Sequence, residues 1–323
     1  MENKKVYLQI ISAIKSGKTF FLSGHKKPDG DTVASELAMA SLLRRMHKKW
    51  DIYNAETVPL NLSFLPGVQK IKTSKNVTQN YDVAFIFECS GPERMGNIID
   101  LKKRVKTVIN IDHHLLHGFF GDINLINVKA SSNSEQLFYL FNLLKLPLTT
   151  EEATYLYVGI TADTGRFRHS NTNAETLWIA SELLKCGVEP AILSEKMFET
   201  RELPALKLLS HCLKDMKLFE KNKIAAMKIE RQDFLNTKST DEDTEEIVNY
   251  GLMVPTTLIS ILFRQYNSAD PVKVSFRARR GANVCQLAQQ FGGGGHKYAS
   301  GCEVKDSLEN VMKRILNAAK KAV

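Results

Sequence analysis

Apolar and polar positions follow two different rhythms along this chain. Residues 4–15 set Val6, Ile10, Ile11 and Ile14 at helical spacing. The short apolar run TFFLS (19–23) predicts a buried strand, and after a polar loop residues 32–46 predict a helix. Residues 51–54, VAFIF (83–87) and TVINI (107–111) predict three more strands, and 134–144 and 151–161 two more helices. Strands that are apolar throughout and alternate with helices predict a parallel sheet covered on both faces.

Residues 173–213 are helical in pattern almost without a break, punctuated by Gly187 and Pro190. Beyond 217 the rhythm changes. Residues 224–229, 257–265 and 272–277 read as strands and 284–291 as a helix, followed by four glycines, Gly292 to Gly295. A length of 323 residues suits two domains. The expected organisation is a parallel-sheet α/β domain over 1–187, a helical linker over 188–214 and a smaller α/β domain over 215–323, with a cleft between the domains.

Composition narrows the class. Apolar residues make up 43% and charged residues 24%, ordinary globular values. No apolar run approaches the ~18 residues that span a bilayer. The start is interrupted by Lys4, Lys5 and Lys15 and has no secretory apolar core, so a cytoplasmic protein without a membrane partner is expected. The net charge of +9 is spread over both halves; it permits an anionic partner without requiring one. The five cysteines include no CxxC pair, which suits a reducing compartment.

The chemistry gathers at element ends. His25-Lys-Lys-Pro-Asp29-Gly-Asp31 follows the first strand, Glu88 follows VAFIF, Asp112-His113-His114 follows TVINI, and Asp163 ends an apolar helical stretch. In open α/β sheets ligands bind beyond the carboxyl ends of the strands. Five carboxylates and three histidines on one edge call for compensating cations, because like charges at short range oppose ionisation. Mixed carboxylate and imidazole donors suit Mn²⁺, Fe²⁺, Co²⁺ or Zn²⁺, and the donor count suits two ions, which can activate a water and clamp a transferring phosphoryl group. Taken singly, Pro28-Asp29-Gly30 is also ordinary turn chemistry.

In the second half, GGGGH reads either as a nest of backbone N–H groups for an oxyanion or as a flexible hinge. Lys297 follows at once, and Arg277 and Arg279 alternate on one strand face, with Arg264 on the strand before. Arg166, Arg168 and His169, just beyond Asp163, read equally well as site-lining or surface residues.

These motifs resemble those of the DHH phosphoesterases: His25-x-x-Pro28-Asp29-x-Asp31, Asp112-His113-His114 and Asp163-Thr164-Gly165, with Gly292 to His296 resembling the DHHA1 domain. The resemblance spans nearly the whole chain and points to the compact nanoRNase and 3'-phosphoadenosine 5'-phosphate (pAp) phosphatase branch. It implies that His25 and Asp29 hold one ion and Asp31, His113 and Asp163 another, with Glu88 bridging. Asp112 would orient His113, and His114 would face the substrate or attacking water. Two Mn²⁺ ions are implied, with Mg²⁺ or Co²⁺ as substitutes. The second domain would grip the substrate through Arg277, Gly293, Gly294, Gly295, His296 and Lys297, with Arg264 a weaker candidate. The implied activity is hydrolysis of short RNA oligonucleotides or pAp. The alternatives are a dinucleotide, polyphosphate or pyrophosphate substrate, or nucleotide binding without catalysis; a homodimer is compatible with all of them. Glu88 stands where the family has Asp. The added methylene extends the side chain by about 1.5 Å, which predicts a weaker second ion or a backbone that adjusts.

Overall fold

The computed structural model describes residues 3–114, 119–244, 246–279 and 281–323. The chain divides into two compact units, Met1–Thr200 and Arg201–Val323.

Unit 1 carries strands β1 (Thr19–Ser23), β2 (Lys49–Asn54), β3 (Ile71–Thr73), β4 (Tyr81–Phe87), β5 (Val105–Asp112) and β6 (Ile123–Ile126). Its helices are α1 (Lys4–Ser16), α2 (Gly30–Arg45), α3 (Leu101–Arg104), α4 (Asn133–Leu144), α5 (Thr150–Asp163), α6 (Ala174–Lys185) and α7 (Pro190–Ser194). All neighbouring strands are parallel, in the order β3-β2-β1-β4-β5-β6. The order reverses between β1 and β4, so the crevice beyond their carboxyl ends is the natural ligand position. Alternate strand residues feed two cores. Phe20, Leu22, Phe85, Phe87, Ile109 and Ile111 pack beneath α1, α2, α4 and α5. Phe21, Ala84, Ile86 and Val108 face a thinner layer built from Met95, Ile98, Ile99 and the short α3. That second face therefore has turns where full helices were expected.

Helix α2 is buried along its whole length from Gly30 to Leu43, polar residues included. A helix submerged in this way must satisfy Asp31, Thr32, Ser35, Glu36 and Ser41 internally. Most of those polar groups belong to the site described below.

Unit 2 holds α8 (Leu203–Lys214), β7 (Lys217–Phe219), β8 (Ile224–Glu230), α9 (Arg231–Thr237), α10 (Ile247–Tyr250), β9 (Ile259–Gln265), β10 (Val272–Ala278), α11 (Val284–Gln289), β11 (Gly294–His296), β12 (Ala299–Val304) and α12 (Leu308–Lys320). The sheet order is β11-β12-β10-β9-β8-β7, antiparallel except for β8 with β9. One face packs Val272, Val274 and Phe276 against α11 and α12. On the other, Met227, Ile229 and Leu262 pack against α8, α9 and α10.

The continuous helix expected over 173–213 is broken into α6, α7, a wider five-residue turn at Glu195–Glu199, and α8. The division between units falls inside the segment 188–214. Leu193 and Met197 join the first core, while Leu208, Leu209 and Cys212 join one of the second unit's cores. No described helix is long and apolar enough to cross a membrane.

Candidate metal centre

Loops and turns at the carboxyl edge of the unit 1 sheet bring the sequence-predicted residues together. His25 follows β1, Glu88 follows β4, and His113 and His114 follow β5. Asp29 caps α2, its carboxylate accepting the Thr32 N–H at 3.0 Å, and Asp31 lies in that helix's first turn. Asp163 is the last residue of α5.

Glu88 is the hub. Its Oε2 lies 3.6 Å from His25 Nε2 and its Oε1 3.3 Å from His113 Nε2. The Thr32 hydroxyl donates to Oε2. Glu88 adopts a left-handed φ of +56°, uncommon for a residue with a Cβ. The backbone at the bridging position is thus distorted, and the carboxylate reaches one histidine with each oxygen. His113 Nε2 also lies 2.8 Å from Asp163 Oδ2, and His25 Nε2 lies 3.5 Å from Asp29 Oδ2.

Three groups of donor atoms within 4.8 Å of one another result, each able to hold a metal ion: His25, Asp29 and Glu88; Asp31, Glu88, His113 and Asp163; and Glu88, His113 and His114. Glu88 belongs to all three.

Asp31 is fully buried and docked on the N-terminus of α4. It accepts the backbone N–H of Asn133 at 2.5 Å and of Ser134 at 3.0 Å, and the Ser134 hydroxyl at 2.5 Å. Gly159 of α5 makes room for this contact, since a Cβ there would strike the Ser134 hydroxyl and the Asp31 carboxylate.

One assignment needs correction. Asp112 does not orient His113. Its Oδ1 accepts the His114 backbone N–H at 3.0 Å and lies 2.8 Å from His114 Nδ1. The reason is local: an Asp at the strand end closes an Asx-type turn onto the residue two positions on. That turn brings the His114 ring back to the same oxygen. Asp112 Oδ2 is buried without a hydrogen-bond partner.

The charge state follows from burial and proximity. Burial opposes a charge on His113, yet its bonds to Asp163 and Glu88 push it up to about 12. His25, against the same penalty, is pushed up to about 10 by Asp29 and Glu88. Glu88 is held well below the usual carboxylate range, the two histidines overcoming its burial. Asp31 is raised well above that range by burial and by the charges of Glu88 and Asp163. Burial, aided by Glu88, raises Asp163 to about 7 against the pull of His113. Protons on two histidines here balance a carboxylate cluster that divalent cations would balance better. The donor set fits a first-row divalent ion.

Several supporting residues carried no sequence-level signal of a site. Thr32, Asn133 and Ser134 hold the candidate ligands. Behind them, the Asn54 amide donates to the buried Glu36 carboxyl at 3.1 Å, and the Gly24 N–H, next to His25, reaches Asn54 Oδ1 at 3.5 Å. Burial pushes Glu36 up to about 8, against the Asn54 hydrogen bond. The one available clue was polar residues recurring within helices that are otherwise core.

In unit 2 the last two glycines of the run are built into a strand. Gly294, Gly295 and His296 form the edge strand β11, paired to Gly301, Ser300 and Ala299 of β12. A Cβ on Gly293 would strike the Gly301 carbonyl and Cys302. Register aligns Gly294, Gly301 and Ser275 in one row and His296, Ala299 and Arg277 two rows on, with Gly295, Ser300 and Phe276 between them. The predicted residues Arg277 and His296 thus share a row, and Gly294 lies two rows away. Lys297 Nζ sits 5.3 Å above the Tyr298 ring. Arg264 is placed differently: it pairs with Asp241 at 3.0 Å, donates to Thr244, and is an internal tie for the acidic segment 241–246. Arg279 bonds backbone carbonyls at Leu252 and Pro255. Arg280 lies outside the described residues.

The sequence profile of the DHH family N-terminal domain matches residues 19–160, and that of the DHHA1 domain matches residues 223–323. The chain thus carries a DHH family N-terminal domain followed by a DHHA1 domain. Among curated proteins it is 26% identical over 320 residues to the bifunctional oligoribonuclease and PAP phosphatase NrnA of Thermus thermophilus, covering 99% of this chain and 94% of that one. It is 27% identical to the NrnA of Bacillus subtilis, covering 92% of each. Among solved structures, an exopolyphosphatase-related protein from Bacteroides fragilis superposes with a TM-score of 0.93 at 24% identity, covering 98% and 96% of the two chains. The exonuclease RecJ bound to manganese superposes at 0.54 with 13% identity, covering 98% and 94%. These structural likenesses concern the fold.

Proposed function

We propose that this chain is a metal-dependent phosphoesterase that hydrolyses short oligoribonucleotides and pAp. The observation that carries the reading is the Glu88 hub: one buried carboxylate reaching both histidines, with Asp29, Asp31 and Asp163 around it. The whole-length likeness to relatives named oligoribonuclease and PAP phosphatase supports the substrate class.

His25, Asp29 and Glu88 would hold one ion, and Asp31, Glu88, His113 and Asp163 the second, with Mn²⁺ the proposed species. When bound, such ions supply Lewis-acid polarisation of phosphoryl oxygens and lower the pKa of water. The chain's own groups do the rest. Asp112 fixes the His114 ring through Nδ1, leaving Nε2 to exchange a proton with water or with the leaving oxygen. The α4 N-terminus fixes Asp31. In unit 2, Arg277, the backbone of Gly293 to Gly295, His296 and Lys297 would grip a substrate phosphate or nucleotide. The free cysteines favour a reducing compartment, and the cytoplasm is the proposed one.

Phosphate and mononucleotide release with Mn²⁺ from pAp, a diribonucleotide and pyrophosphate, run in parallel, tests the reading. Turnover of the first two above pyrophosphate is expected; no release from any of them overturns it.

A further inference from the structure

Immediately after Asp163 the chain turns left-handed for three residues, with φ of +54° at Gly165, +64° at Arg166 and +60° at Phe167. Two of these carry a Cβ, so the turn is strained and persists only because its surroundings hold it. Arg166 N–H bonds the Thr161 carbonyl at 2.8 Å, and Phe167 N–H bonds the Thr164 hydroxyl at 3.0 Å. The result is that Arg166 and Phe167 line a cavity of about 310 Å³ within unit 1, walled further by Tyr157, Thr161, Pro190 and Leu193.

The lining is mostly apolar and aromatic, with Arg166 and the hydroxyls of Thr161, Ser194 and Tyr157 as its polar groups. Among the described residues no carboxylate pairs with Arg166; its guanidinium lies instead over the Phe198 ring, 4.1 Å from the centroid. The Thr161 hydroxyl is buried beside the Tyr157 phenol, with which it can share a hydrogen bond. A flat cation braced on an aromatic ring, next to hydroxyl groups that can donate or accept, suits a planar heteroaromatic ring that stacks and offers a polar edge. Free phosphate would need several converging donors, and one arginine among apolar walls does not supply them. The volume lies at the lower end of the range for small-molecule sites. Arg166 is three residues from Asp163, so the two Cα atoms lie at most about 11 Å apart.

We propose that this cavity receives a nucleobase of the substrate, with Arg166 as the stacking surface and Thr161 at the base edge. The proposal rests on the phosphoesterase reading and adds the element that favours nucleotides over bare phosphate esters.

The test has two arms. In the first, 2-aminopurine ribonucleoside 5'-monophosphate is titrated into the full chain and its fluorescence followed. Quenching on binding is expected. Arg166→Ala weakens binding about 5- to 150-fold, and Arg166→Lys weakens it nearly as much although the charge is kept. Phe198→Ala, which unseats the guanidinium, gives a smaller loss in the same direction, and it carries the arm with Arg166→Lys if the alanine variant melts early. Unchanged affinity in these variants, or full rescue by lysine, overturns the proposal.

In the second arm, kcat/KM is compared for a diribonucleotide and for versions carrying an abasic ribose at either position. The parent enzyme should discriminate at one position, and Arg166→Ala should lose most of that discrimination; equal discrimination by both overturns it. If the probe binds in an Arg166-dependent way and no ester is hydrolysed, the cavity stands and the phosphoesterase reading falls. Hydrolysis without any preference for a base has the opposite meaning.

Discussion

The two units offer candidate sites of different construction. In unit 1 the candidate site is made of buried, charged side chains that bond one another: Glu88 to two histidines and a threonine, Asp31 to a helix end, His113 to Asp163. In unit 2 the proposed grip combines Arg277 of the interior strand β10 with the backbone of Gly293 to Gly295, His296 and Lys297 at the edge strand β11. A buried set of like charges is cooperative, because removing one member leaves the others unpaired in a low dielectric. The unit 2 grip is additive, because each donor meets the ligand alone. Changes in unit 1 should therefore be large and coupled, and changes in unit 2 smaller and independent.

The sharpest break of that contrast is Asp163→Asn or His113→Ala. Each should lower turnover by about 1000-fold or more and reduce bound metal, because each removes a ligand and orphans the other. A variant with full metal content and near-normal turnover would remove this pair from the centre.

Next in size is a pH effect behind the site. Glu36 has an ordinary pKa of 4.5, raised in the fold to about 8 by burial. The folded state then holds a proton that the unfolded state releases, so stability is full below pH 4.5 and falls as pH rises toward 8. From pH 5 to 8 the loss is about 3 kcal/mol. Glu36→Gln keeps an acceptor for Asn54 and should remove most of that slope. Denaturant titrations of both proteins at the two pH values, with chelator present, measure it. The histidines contribute equally to both proteins, so the difference isolates Glu36; parallel slopes would mean that Glu36 is ionised in the fold.

Glu88 comes third. The sequence argues that its extra methylene makes it an off-length ligand, which would let Asp improve it. The structure argues otherwise, because each oxygen already reaches one histidine and the backbone is bent to allow it. Glu88→Asp should weaken the second of two metal-binding steps about tenfold, and Glu88→Gln about 100-fold. Calorimetric titration of metal-stripped protein separates the two steps. Tighter binding by the Asp variant would restore the sequence argument.

Arg277→Ala turns the comparison to unit 2. Loss of one charge-assisted hydrogen bond predicts a fall in kcat/KM of roughly 10- to 100-fold on pAp and dinucleotides, with metal content unchanged. A minimal phosphodiester without a nucleotide should be far less sensitive. Equal damage to both substrates would mean that the arginine is not a grip.

What the sequence discloses follows the same division. β1, β4 and β5 are legible because strands buried on both faces are apolar throughout. β3, β6, β7 and β11 are three or four residues long and carry no rhythm. The ligand candidates are legible because they cluster at strand ends. Their supports are not: Thr32, Glu36 and Ser134 lie inside helices, where a polar residue looks like solvent-facing surface until the helix proves to be submerged. The partner of Asp112 was misjudged for a related reason. Adjacent histidines are equivalent in sequence, and only the turn geometry after β5 distinguishes them.

The smallest effect tests whether those supports matter. Ser134→Ala removes the hydroxyl that donates to Asp31 but keeps both backbone N–H donors, so Asp31 stays docked on α4 with one bond fewer. A hydrogen bond to a charged group is worth roughly 1.5 kcal/mol at the low end, which predicts about tenfold weaker metal binding. At saturating metal, turnover should return close to the parent value, because the hydroxyl orients a ligand and touches no reacting atom. The double variant with Arg277→Ala should show the product of the two single effects, since the residues belong to different units. If Ser134→Ala lowers turnover at saturating metal as severely as Asp163→Asn, the hydroxyl takes part in the chemistry, and the distinction between ligand and support in unit 1 fails. If it changes nothing, the α4 N–H groups alone fix Asp31, and the cooperative network is one member smaller than the distances suggest.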